Sequence, residues 1–351
     1  MGGNAFNAVV NFSGIFPRMQ PALYRCLRQK HEDALKKLYT LVGTPAEAPE
    51  KVDHGDVDFI VWHPCPVDHL SVQEALKASH VKPMDGPRTS NYAVPLDAQD
   101  EYCQVDVHVC ATEGEWQRTM FFHSYGDMGM ILGLIARGVG LHLGVHGLRY
   151  PIPKLPPWHL SSNFDDILPF FGWSKSRFDR GFKTKVELFE WIWTTEHIHP
   201  RTFGSNNAVG KVDKQRKLYH EFVAWGRERQ EQQTSESPQP RATELQVIMR
   251  EKALQHFGVQ AEVEAFIHAE SSRARWKALF NGHLVEEWTE IPLSNWKRIK
   301  QLMDTVRQQL DGEAGGLDQG PAYVLKMFEN DDGALEFLKA KSRQVVKELE
   351  D

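Results

Sequence analysis

Asp56 and Asp58 stand inside an apolar run, Gly55-Asp-Val-Asp-Phe-Ile-Val-Trp62, and Asp106 stands inside Gln104-Val-Asp-Val-His-Val109. Alternation of this kind predicts half-buried strands. Residues two apart on a strand share a face, so Asp56 and Asp58 project together while Val57 faces the other way. Aspartate is disfavoured in strands, and adjacent carboxylates repel unless a cation lies between them. A third carboxylate on a neighbouring strand would complete a cage for a hard, oxygen-preferring ion such as magnesium. The fold this demands brings three acidic groups, far apart in numbering, to one point.

At 351 residues the chain has room for two or three domains with cores of their own. Its net charge of -6 provides no global positive field for nucleic acid, so any such contact needs a local patch. Cys26, Cys65, Cys103 and Cys110 show no Cys-x-x-Cys spacing and read as the reduced thiols of an intracellular, cytoplasmic protein. No apolar run reaches transmembrane length, and the longest, 128–136, is about half of what spanning needs. No membrane association or secretory signal is expected.

Helical spacing of apolar residues predicts helices over 21–41, 71–79, 128–137, 163–171 and 185–195. Strands are expected over 56–62, 91–96 and 102–110, the last two joined like a hairpin. Asp127 is placed to cap the helix that follows it. The proline-rich segment 152–157 reads as a domain edge, and the polar segment 231–240 as a flexible linker. Thr243-x-x-Gln246 resembles a capping box opening a helix. The expected organisation is a catalytic domain over 1–158, a helical closing region over 159–228, a linker over 229–241 and a helical domain over 242–351. The fold class expected is α+β, a mixed sheet with flanking helices followed by helical domains.

Met1-Gly2-Gly3-Asn4-Ala5, the Gly55-Asp56-Val57-Asp58 element and the Asp106 strand together resemble the DNA polymerase β-like nucleotidyltransferase superfamily. Poly(A) polymerases and CCA-adding enzymes belong to it, and the opening is similar to a phage and fungal branch. Phe122-His-Ser-Tyr-Gly-Asp-Met-Gly129 and Gly147-Leu148 fit that branch, and the similarity covers about residues 1–225. The resemblance implies transfer of a nucleoside monophosphate from a nucleoside triphosphate to an acceptor hydroxyl, releasing pyrophosphate. It implies that Asp56, Asp58 and Asp106 hold two magnesium ions, with manganese as a substitute. Gly2, Gly3 and Asn4 would cradle the triphosphate through backbone donors, with Lys51 as a charge partner. In most members the glycine pair lies just before Asp-x-Asp, which makes Gly43-Thr44 a rival to Gly2-Gly3. Phe280-Asn281-Gly282 and the Pro292 helix echo a helical element of CCA-adding enzymes.

Ser124 and Tyr125 are candidates for contact with sugar or base, His108 for tuning Asp106, and His54 for a place near substrate. Lys175, Arg177, Arg180, Lys183 and Lys185 form a local basic stretch that could meet an RNA or tRNA acceptor. A reading of another class keeps the fold but makes the chain a non-catalytic scaffold that binds nucleotide or RNA.

Overall fold

The computed structural model describes residues 5–7, 13–84, 88–198, 200–203, 212–232, 242–328 and 330–350. The chain divides into two compact units, Met1–Gly258 and Val259–Asp351.

The first unit is built on a five-stranded mixed sheet, confirming the α+β class. Its strands are β1 (Leu41–Gly43), β2 (Asp56–Trp62), β3 (His80–Lys82), β4 (Thr89–Pro95) and β5 (Tyr102–Val109), in the order β1-β2-β5-β4-β3. The central pair, β2 and β5, is parallel, and every other pair is antiparallel. Alternation decides which face is buried. Val57, Phe59 and Val61 of β2, Cys103, Val105 and Val107 of β5, and Tyr92 and Val94 of β4 share one core. Two helices cover it, α1 (Pro21–Leu35) and α2 (His69–Leu76), through Tyr24, Leu27, Leu35, Val72 and Leu76. Pro21 opens α1, where a missing N–H costs nothing. Asp68 caps α2 by accepting from the amides of Leu70 and Ser71 at 2.9 and 3.0 Å.

The other face of the sheet carries the acidic residues. A helix the sequence reading did not anticipate, α3 (Glu113–His123), lies against it and is capped by Thr112. Trp116 Nε1 donates to the Ile60 carbonyl at 2.8 Å, which ties α3 to β2. A Cβ on Gly43 would meet Met120 Cε at 2.8 Å and Trp116 Cζ2 at 2.9 Å, so packing of α3 accounts for that glycine. The helix α4 (Met128–Gly138) is buried nearly all round. Among the described residues no helix is long and apolar enough to cross a membrane. Asp127 precedes α4 but does not cap it. Its carboxylate accepts from the Tyr219 amide at 3.3 Å and from Arg216 at 3.2 Å, so it serves the helix Lys217–Gln232 instead.

A second, antiparallel sheet follows, β6 (His142–Gly144), β7 (Gly147–Tyr150) and β8 (Trp158–Ser161). Residues 151–157 therefore join two paired strands and are not a domain edge. Gly147 has φ 96°, and a Cβ there would lie 2.1 Å from the Ser161 carbonyl oxygen, so β7 and β8 can approach only with glycine at this position. Three short helices come next, α5 (Phe164–Phe170), α6 (Lys175–Asp179) and α7 (Lys185–Trp193).

The helix Ala242–His256 packs on this first unit, contrary to its expected place in the C-terminal domain. Arg250 Nε donates to the Gly140 carbonyl at 3.0 Å, and the rings of His256 and Phe257 stand 5.2 and 5.5 Å from Phe170. Thr243 lies inside this helix and opens no capping box. Of the expected linker, 233–241 lies outside the described residues.

The second unit holds the helices Gln260–Leu279, Gly282–Thr289, Trp296–Ala314, Gly320–Met327 and Asp331–Glu348 around a core that includes Trp276, Phe280, Val285, Leu302, Val306 and Leu338. Asn281 caps the second of these by accepting from the amides of His283 and Leu284. This gives the Asn281-Gly282 pair a structural role within the unit.

Candidate metal centre

Parallel pairing of β2 with β5 sets Asp58 directly opposite Asp106 and Asp56 opposite Gln104. All three aspartates thus face the same side, and one carboxylate oxygen from each lies within 4.8 Å of the others. Among the described residues this is the one such group of potential ligands. An all-oxygen donor set of this charge suits a hard divalent cation.

The electrostatics report the crowding. Burial raises the Asp58 carboxyl most, and the charges of Asp56 and then Asp106 raise it further. Burial likewise raises Asp56. Asp106 is pushed up to about 6, first by burial and then by Asp56, while hydrogen bonds from Asn91 and Gln104 work against the rise. Lys51 is exposed, and its charge lowers both Asp56 and Asp58. Water reaches the Asp58 side chain although protein surrounds it densely.

Two residues that the sequence reading passed over hold Asp106 in place. Asn91, opposite it on β4, donates through Nδ2 to Oδ1 at 2.7 Å. Gln104, two residues earlier on the same face, donates through Nε2 to Oδ1 and Oδ2 at 2.9 and 3.0 Å. Gln104 is buried, and its Oε1 accepts from the Ala5 amide at 3.0 Å. One side chain therefore links Ala5 to one of the three clustered carboxylates. The signal was present: the period of two that pairs Asp56 with Asp58 also pairs Gln104 with Asp106. Gly2, Gly3 and Asn4 lie outside the described residues.

Replacing Gln104 by Leu removes both links without opening a large cavity. The expected cost is about 1–3 kcal/mol, because the Ala5 amide and the Asp106 carboxylate lose a partner. Urea denaturation of the metal-free protein measures it.

Other candidates are placed differently. Ser124 is buried, accepts from the Ala46 amide at 3.1 Å and donates to the Met120 carbonyl at 2.7 Å. Tyr125 has a backbone φ of 58°, donates its amide to the Ala46 carbonyl at 2.7 Å and its hydroxyl to the Phe178 carbonyl at 3.3 Å. Both fasten the 44–50 loop through these bonds. His54 is fully buried, stacked on Tyr24 with centroids 3.6 Å apart, and its Nε2 lies 3.4 Å from Glu47. It belongs to the core. His108 does share the face of Asp106, but its Nδ1 lies 2.8 Å from Thr89 Oγ1, and burial lowers its pKa.

The basic stretch is largely neutralised within the chain. Lys175 pairs with Asp179, Arg177 with Glu187, and Lys185 with Glu221. Arg180 and Lys183 are exposed, with no side-chain ion pair found for them among the described residues. Phe182 is buried under Arg177, whose guanidinium lies 4.6 Å from the ring centroid.

Neither a scan against protein-family models nor a search of the curated proteins finds a match for this chain.

Proposed function

We propose that this chain is a divalent-cation-dependent nucleotidyltransferase, with magnesium as the ion and manganese as a substitute. The acceptor hydroxyl oxygen forms a bond to the α-phosphorus of a nucleoside triphosphate. The bond from that phosphorus to the bridging oxygen breaks, pyrophosphate leaves with the electron pair, and the hydroxyl proton passes to a base. The observation that carries this reading is the convergence of Asp56, Asp58 and Asp106 on adjacent parallel strands. Sequence resemblance to polymerase β-like enzymes supports it from a second direction.

Each residue has a role that follows from its surroundings. Asp56 and Asp58 would hold the ions jointly with Asp106. Ions bound there would supply charge stabilisation to the phosphoryl oxygens and lower the pKa of the attacking hydroxyl. Asp106 is fixed by Asn91 and Gln104, and its held carboxylate would be the base that takes the hydroxyl proton. Lys51 offsets triphosphate charge at the rim. For an RNA acceptor, Arg180 and Lys183 are the cations of the basic stretch left for phosphate contact.

The direct test supplies each of four radiolabelled nucleoside triphosphates with magnesium and an RNA acceptor, and follows pyrophosphate. The expected result is release that stops in EDTA and returns with added magnesium. A folded protein that releases none with any of the four defeats the reading and leaves a binding scaffold.

A further inference from the structure

A cavity of about 700 Å³ lies among α3, α5 and α6, and none of the three aspartates lines it. That volume is within the range of small-molecule sites. Its apolar wall is aromatic, formed by Trp116, Phe121, Phe164 and Phe178. The Phe121 ring centroid is 4.2 Å from Phe164 and 4.5 Å from Phe178. Walls of this kind accept a flat ring by stacked or edge-on contact.

Two cations line the same cavity, and they differ. Lys175 Nζ is already engaged, 2.5 and 2.7 Å from the two carboxylate oxygens of Asp179. Arg118 pairs with no acid among the described residues, and its Nε is buried with no hydrogen-bond acceptor. Arg149 Nε is buried and unaccepted in the same way. Arg149 stands outside the cavity lining, on β7 next to β8. Arg149 is paired in register with His159, whose Nε2 lies 2.9 Å from Ser162 Oγ, and Ser162 lines the cavity. The charges of Arg118 and Arg149 both act on His159 and, after burial, hold its pKa down.

A buried donor without an acceptor costs about 1–3 kcal/mol, and more when charged. A guanidinium with an orphaned Nε in the wall of a recess is the complement of an anion with several acceptor oxygens. Phosphate fits that fork, and the aromatic wall asks for a ring attached to it.

We propose that this recess binds a phosphate monoester of the nucleoside monophosphate class, its base against Phe121 and its phosphate held by Arg118. The site is separate from the acidic centre and does not rest on the activity proposed above.

The test is equilibrium binding of AMP, adenosine and inorganic phosphate to the full chain in EDTA, which removes metal-dependent binding at the aspartates. AMP is expected to bind at least tenfold more tightly than either fragment. Arg118→Met is expected to weaken AMP at least tenfold, about 1.4 kcal/mol, and to leave adenosine unchanged. Asp58→Asn should keep the wild-type affinity for AMP. The proposal is overturned if AMP binds no better than adenosine, if Arg118→Met binds it as wild type does, or if Asp58→Asn abolishes binding. Should circular dichroism show Arg118→Met unfolded, Arg118→Gln takes its place with the same expected loss.

Discussion

Asp58→Asn is expected to lower nucleotidyl transfer at saturating magnesium by at least about a thousandfold, which corresponds to about 4 kcal/mol of transition-state stabilisation. The substitution keeps the shape of the side chain and removes its charge. It takes away the ligand whose carboxyl is raised by both of its acidic neighbours. Asp58 is also the cleanest of the three to change, because no hydrogen bond to its carboxylate is found among the described residues. Asp106→Asn is a poorer probe. Its new amide would face the Nδ2 donor of Asn91 and the Nε2 donor of Gln104, so misfolding and lost catalysis would be mixed. The measurement is single-turnover pyrophosphate release, with circular dichroism to show that the fold is kept. Turnover within tenfold of wild type in folded Asp58→Asn would remove the acidic centre from the reaction.

The same substitution is expected to raise the melting temperature of the metal-free protein at pH 8. Asp58 and Asp106 both have carboxyls raised above the range they occupy in an unfolded chain. Between those values the folded state holds more protons than the unfolded one, so stability falls as pH rises. Their contribution is most favourable below about pH 4, where both states are protonated. It is lost as pH climbs past the folded values, about 6 for Asp106. In EDTA, Asp58→Asn should therefore melt above wild type at pH 8, and the gap should narrow at pH 5. Magnesium at pH 8 should raise the wild type and leave the variant nearly unmoved. Melting curves at the two pH values check both signs. A variant that melts below wild type in EDTA at pH 8 would mean that the three carboxylates do not repel in the free protein.

Much of the sheet was legible because its period of two is strict. Val57, Phe59 and Val61 alternate with the acidic side, and the 91–96 and 102–110 expectations correspond to β4 and β5. The three-residue strands β1, β3 and β6 are too short to show a period, and Gly43 was weighed for phosphate contact when its neighbours are Met120 and Trp116. Helix α3 was missed because Glu113-Gly-Glu-Trp-Gln-Arg carries its apolar residues late and includes a glycine. The three acidic residues were readable from composition and spacing alone. The support from Asn91 was not, because it meets Asp106 only through the antiparallel register of β4 with β5. The backbone partners of Ser124 and Tyr125 were hidden for a similar reason. A hydroxyl in sequence carries no sign of whether a backbone partner waits for it, and here Ala46, Met120 and Phe178 do.

The parallel union of β2 and β5 also bears on how the chain folds. A parallel pair cannot close through a tight turn, and the connection here runs through α2, β3 and β4. Sequence-distant pairing of this kind slows folding, because loop entropy must be met before the contacts form. The like-charged strands come together in that same late step. Dissolved divalent cations would thus meet no assembled cage on a nascent chain, and would act on the last stage of sheet closure, not on the first collapse.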